Sequence, residues 1–162
     1  MSTSIRVAVA ETASFVTFAA EIGDVRRFDT PPQLMAFLGL VPGERSTGDT
    51  VRRSSLTLAG NRRARRALVE AAWTYRYPAR VSEALRVRLE GLPKAVRDIA
   101  WKAQLRLSAK FKRLLARKVM KTKTVVAVAR ELAGFVWAIG REVQSSAWPG
   151  TAGHTTGTPV PH

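Results

Sequence analysis

Arginine and lysine are the residues whose type and spacing first promise chemistry. Arg52, Arg53, Arg62, Arg63, Arg65 and Arg66 fall between Asp49 and Glu70 with no acidic residue among them. A guanidinium grips phosphate through two parallel N–H donors, which lysine cannot do, and a helix start at Asn61–Arg62 adds backbone donors to the same field. A second group, Lys102, Arg106, Lys110, Arg113 and Arg117, recurs every three or four residues. At 100° per residue it fills about a quarter of a helix circumference, opposite Leu107, Phe111, Leu114 and Leu115. No acidic residue lies between Asp98 and Glu131, so pairs within that helix cannot neutralise the stripe. A charged stripe is ordinarily a solvated face, but one of a single sign is a surface for an anion, and nucleic acid is the commonest candidate. Trp73 and Tyr77 fall on the side of Arg62 and Arg66 and offer rings for a splayed base, although aromatics at such spacing more often serve the core.

The whole chain carries the same bias. Its 162 residues hold 27 Lys and Arg against 12 Asp and Glu, a formal charge of +15, with 46% hydrophobic content. That length buries one modest core and leaves little room for a second. The absence of cysteine excludes disulfides and thiolate chemistry, and the two histidines, His154 and His162, stand in a Gly/Thr/Pro tail, so no metal site is expected. No apolar run approaches the roughly 20 residues that span a bilayer, and the N-terminus lacks a charged leader with a cleavage site, so a cytoplasmic protein without membrane contact is expected.

The elements that must position these charges read as mainly α: a compact domain of about four to six helices with a long basic loop and a disordered C-terminal tail. The first twenty or so residues form an apolar helix broken at Gly23. Thr30, followed by Pro31 and Pro32, starts a brief buried helix over Gln33–Leu40. Val41–Gly60 is rich in Pro, Gly, Ser and Thr and reads as a loop, with room for a β-ribbon around Thr50–Leu58. Asn61 caps a helix to about Tyr77 with Ala64, Leu68, Ala71 and Tyr75 facing the core, and Pro78 ends it. A helix over Ala79–Glu90 stops at Gly91, and Pro93 opens another that reaches about Lys118. The last, Lys123–Val143, places Val125, Val128, Ala129, Leu132, Val136, Ile139 and Val143 on one face and reads as the central core helix. From Gln144 onward little apolar content remains.

The runs AEIGDVRRFDTPPQLMAFLGLVPGERSTG, AGNRRARRALVEAAWTYR, LPKAVRDIAWKAQLRL and ARELAGFVWAIGREV, colinear over about Ala20–Val143, closely resemble the C-terminal transposase domain of the insertion-sequence "one-ten" family, the RNA-guided bridge recombinases. The resemblance implies a two-part enzyme. An N-terminal RuvC-like half supplies four metal-binding carboxylates, and a C-terminal half supplies a serine nucleophile from the small-residue stretch after Gly39-Leu40-Val41-Pro42. That makes Ser46 the candidate nucleophile, or Thr47 if the register shifts by one residue. Arg45, Arg52 and Arg53 would hold the scissile phosphate beside it, and Asn61, Arg65 and Arg66 match the family's Gly-Asn-x-x-x-Arg-Arg pattern. Taken without the resemblance, Ser46 is one loop serine among many.

The sequence also departs from the family. Ser54, Ser55 and Leu58 stand where glycines and a lysine are usual, and Glu11, Glu21, Asp24 and Asp29 do not resemble the RuvC-like carboxylate set. The expected division is a remnant of the connecting region over residues 1–29, the transposase C-terminal domain over 30–143 and the tail over 144–162. The expected function is a DNA-binding recombinase domain that contributes a serine to strand cleavage and exchange and is inactive alone. It needs no cofactor of its own, with Mg2+ only alongside a RuvC-like half. Its partners would be DNA, a guide RNA, and a second copy or a full-length transposase. The alternatives are a non-catalytic basic RNA- or DNA-binding protein and, more weakly, a scaffold for an acidic protein.

Overall fold

A computed structural model describes residues 17–47, 50–56, 59–80, 86–87 and 90–147. Helix α1 covers 17–22 and ends at Gly23, followed by a 3-10 turn at Val25–Arg27 whose N-cap, Asp24, accepts from the Arg26 amide. Helix α2 spans Pro31–Phe37 with both prolines in its first turn, where their missing N–H groups cost nothing. Strands β1 (Pro42–Thr47) and β2 (Thr50–Leu56) form an antiparallel hairpin. Helix α3 (Arg62–Ala72) passes into a 3-10 turn at Trp73–Arg76. Helices α4 (Lys94–Ala116) and α5 (Lys121–Ala147) complete the fold.

The mainly helical reading holds, and α5 is indeed central: it packs against α2, α3, α4 and the 3-10 turn at Val25–Arg27. Val125, Val128, Ala129, Leu132 and Ala133 of α5 meet Leu34, Leu38, Ala64, Leu68, Leu107 and Phe111 in one buried cluster. Trp137 donates its indole N–H to the Phe28 carbonyl at 2.8 Å, tying α5 to the segment before α2, and Arg27 lies over the Phe28 and Phe37 rings at 4.6 and 4.5 Å. Trp73 packs on Phe111 with ring centroids 6.2 Å apart, which joins the far end of α3 to α4.

Several local expectations need correction. Much of the stretch read as a loop is hairpin, and the ribbon begins at Pro42 rather than at Thr50. The fully buried face of α3 is Ala64, Ala67, Leu68 and Ala72, while Ala71 and, from the 3-10 turn that follows, Tyr75 pack against the same cluster partly buried. Leu115, read as lying opposite the basic stripe, is exposed. Helix α5 starts two residues earlier than expected and runs to Ala147, past the point where the tail was expected to begin. Most of the Ala79–Glu90 helix, most of the apolar N-terminal segment and residues 148–162 lie outside the described residues.

Candidate nucleic-acid interface and hairpin site

The hairpin that carries Ser46 is held at its base by two glycines. Gly39 (φ 65°) follows α2, and Gly60 (φ 122°) precedes α3. A Cβ on Gly39 would fall 2.2 Å from the Ala59 carbonyl oxygen, and one on Gly60 would fall 2.2 Å from that of Phe37. Only glycine permits both the backbone angles and this approach of two chains. The Asn61 amide donates to the Phe37 carbonyl at 2.9 Å. Arg65 reaches back from the first turn of α3 and donates to the Leu38 carbonyl at 3.0 Å. Asn61 accepts from the Ala64 amide at 2.9 Å as the expected cap, and its side-chain amide donates to Glu21 at 2.7 Å. The two chains entering and leaving the hairpin are therefore fixed to α1, α2 and α3 by named bonds.

Above this base the register places Ser46 opposite Val51, Thr47 opposite Thr50, Arg45 opposite Arg52 and Glu44 opposite Arg53, with an irregularity between Pro42 and Glu44. Ser46 and the arginines Arg45, Arg52 and Arg53 thus stand within two residues of one another along the two strands. Their side chains lie outside the described residues.

The arginines of α3 separate into two kinds. Arg62, Arg63 and Arg66 are exposed at the helix start beside the hairpin. Arg63 is within 3.7 Å of Glu21, and Arg66 pairs with Glu70 at 2.9 Å, both in solvent-facing settings where such pairs hold weakly. Arg65 is half-buried and turned into the hairpin base, so it is a structural clasp rather than an open phosphate contact. Trp73 is committed to Phe111, whereas Tyr77 stays exposed with the Arg76 guanidinium 4.6 Å over its ring.

The stripe on α4 is real but interrupted. Lys102, Arg113 and Arg117 are exposed, while Arg106 and Lys110 both bind Glu131 of α5, Lys110 at 2.7 Å with a further 3.0 Å bond to the Ala127 carbonyl. Burial pushes the Glu131 carboxyl up, but hydrogen bonds from Lys110 and then Arg106 outweigh it and hold it below its ordinary value of 4.5. A carboxylate with a depressed folded pKa stabilises the fold when ionised, so its contribution is present above about pH 4.5 and is lost as pH falls through the folded value. Glu131→Gln is accordingly expected to destabilise the protein by about 1–2 kcal/mol at neutral pH. The deficit should close on acidification, and melting curves of parent and variant from pH 7 downward check it; a pH-independent gap would refute it. The sequence signal was Glu131 itself, the sole acid between Asp98 and Glu142, which an antiparallel α4–α5 pair must bring beside Arg106 and Lys110.

The described carboxylates do not gather into a metal centre. Among the described residues no three Asp, Glu or His side chains converge. Glu21, Asp24, Glu70 and Glu131 are each engaged by a cation or an amide, and the Arg26 side chain and backbone hold the exposed Asp24 carboxyl below its ordinary value. Sequence reasoning also passed over Lys112, Lys118, Lys121 and Lys123 at the α4–α5 turn, all exposed, because it followed one helix face rather than the turn between two helices.

No helix among the described residues is long and apolar enough to cross a membrane. No solved structure matches the chain. The protein named "Putative transposase y4qE" of Sinorhizobium fredii (strain NBRC 101917 / NGR234) is 57% identical over 131 residues, which cover 81% of this chain and 34% of that protein, so the chain spans about a third of that relative's length. Residues 10–85, which include the hairpin, its glycine base and α3, match the family model described as Transposase IS116/IS110/IS902 family, and over that stretch the chain is similar to the transposases of that family.

Proposed function

We propose that the chain is the DNA-handling part of a recombinase and supplies the Ser46 hydroxyl as the nucleophile for strand cleavage in insertion-sequence transposition. In the step envisaged, the Ser46 oxygen forms a bond to the scissile phosphorus. The deoxyribose oxygen departs with the electron pair of the broken P–O bond and takes up a proton, while the serine proton is lost to solvent or a base. One phosphodiester is exchanged for another, so the covalent intermediate stores the bond energy needed for rejoining. Arg45, Arg52 and Arg53 neutralise the phosphate in this reading, and Arg62, Arg63 and Arg66 hold the flanking backbone.

The observation that carries the proposal is the hairpin, which lifts Ser46 on a two-stranded arm whose base is locked between α2 and α3 beside exposed arginines. The metal-binding carboxylates, a guide RNA and assembly with a second copy or a full-length transposase belong to the same proposal and lie beyond these residues.

The test incubates the chain with labelled insertion-sequence end DNA, guide RNA and magnesium, alone and with a RuvC-like half added in trans, and resolves the products on a denaturing gel. An adduct that requires the second half supports a split recombinase. Its absence in both cases, with salt-sensitive DNA binding intact, favours the non-catalytic nucleic-acid-binding protein.

A further inference from the structure

The turn between α4 and α5 is a compact knob of positive charge. Lys112, Arg113, Arg117, Lys118, Lys121 and Lys123 are all exposed, with no acidic residue among them, and none pairs with another described residue. The turn is rigid: Arg117, Lys118 and Val119 donate to the carbonyls of Arg113, Leu115 and Leu114 at 3.2, 2.9 and 3.1 Å, and the Thr124 amide donates to that of Met120 at 2.9 Å. Lys118 takes the left-handed conformation (φ 57°) that reverses the chain.

Cations in the last turn of α4 suit the local helix dipole, and a purely structural reason suffices for Arg113 and Arg117. Lys121 and Lys123 occupy the first turn of α5, where the dipole disfavours them and no acidic residue compensates. The sequence therefore keeps positive charge at a point where folding alone would select against it. A bound anion reverses that balance.

We infer that this knob is a second DNA-backbone contact, separate from the hairpin arginines, and that one duplex spans both. The inference rests on the DNA-binding part of the proposed function and not on its serine chemistry. Met35 of α2, the helix that ends at the hairpin base, touches α5 at Gly134. Thirteen residues of helix separate Gly134 from Lys121, about 20 Å at 1.5 Å per residue. That length of α5, from the knob to the level at which α2 packs, matches about 6 base pairs of duplex. No residue from Lys112 to Lys123 is aromatic, so the knob has nothing on which to stack an unpaired base, and its flexible cations suit the phosphates of a duplex.

The experiment measures binding of the 162-residue chain across a salt series to a duplex of about 20 base pairs and to a hairpin-closed duplex of about 4, which is too short to reach both contacts. Parent protein is compared with the combined variant Lys112→Gln, Arg117→Gln, Lys121→Gln, Lys123→Gln. On the long duplex the variant is expected to lose about a hundredfold in affinity near 0.1 M salt, with the slope of log K against log salt reduced by about 3. On the short duplex the two should agree within about threefold, because only one contact can be engaged at a time. A companion variant with Lys112, Lys121 and Lys123 changed to Arg should bind as the parent does, and unchanged helical content and melting temperature in both exclude misfolding as the cause. Equal affinity and slope for parent and Gln variant on the long duplex overturn the inference. If binding is then lost on neutralising Arg62, Arg63 and Arg66, the proposed function stands without the knob. No DNA binding by the parent overturns both. Knob-dependent binding to duplex RNA at least about tenfold tighter than to DNA assigns the surface to RNA and also overturns the inference.

Discussion

Ser46→Ala is expected to form no covalent adduct with DNA under conditions where the parent chain and a RuvC-like half together do, and to keep its DNA affinity within about twofold. With Ser46 as the proposed nucleophile, alanine removes the oxygen that would bond to phosphorus, and an ester on Thr47 would form one residue away. The substitution leaves the strand register, the glycine base and the arginines of α3 in place, because the bonds described at the hairpin base join Asn61 to Glu21 and Phe37 and Arg65 to Leu38. Thr47→Val tests the other register: Thr47 sits at the end of β1 opposite Thr50, so its loss should leave the adduct intact if Ser46 is the nucleophile. Adduct retained in Ser46→Ala and lost in Thr47→Val would move the assignment by one residue. Adduct retained in both would remove the hairpin hydroxyls from the chemistry.

The sequence made the helices legible where spacing alone decides them. Periodicity identified α5 as the core helix, Asn61 announced the cap that starts α3, and Pro93 marked the opening of α4. It was least legible between Val41 and Gly60. Gly, Ser, Thr and Arg carry little alternation of apolar and polar residues, so neither strand of the hairpin had a hydrophobic face to reveal it. Its pairing depends instead on the close approach of Gly39 and Gly60, residues 21 positions apart, which no local pattern encodes.

The site was legible in kind and not in arrangement. One-signed spacing found the stripe on α4, but the helix wheel of a single element cannot see Glu131 arriving from α5 to bind Arg106 and Lys110. Arg65 looked like its neighbours because a buried and an exposed arginine have the same letter. Its bond to Leu38 depends on where α2 ends relative to α3. The knob at the α4–α5 turn was divided between two elements, and its significance comes from the dipole at the start of α5, which matters only once that boundary is known.

Gly60→Ala should destabilise the protein by about 3–5 kcal/mol and abolish adduct formation without removing a single polar side chain. Its φ of 122° is a conformation that an L side chain adopts only under strain of about 1–3 kcal/mol. The added Cβ would also lie 2.2 Å from the Phe37 oxygen, a backbone atom that cannot swing aside. Relief requires the two chains to part, which breaks the bond from the Asn61 amide to that same oxygen and withdraws the Leu38 carbonyl from Arg65, each bond contributing about 1 kcal/mol. The hairpin then loses its fixed bearing on α3 while the core around Phe111 and Val128 is untouched, so amide exchange should rise first in β1 and β2 and last in α5. Gly91→Ala is the control: nothing lies within 4 Å of its added Cβ and its φ is not positive, so its stability should change by less than about 0.5 kcal/mol. A Gly60→Ala protein that melts with the parent and retains slow exchange in both strands would mean that the hairpin is not seated through this base, and the positioning of Ser46 would then need another cause.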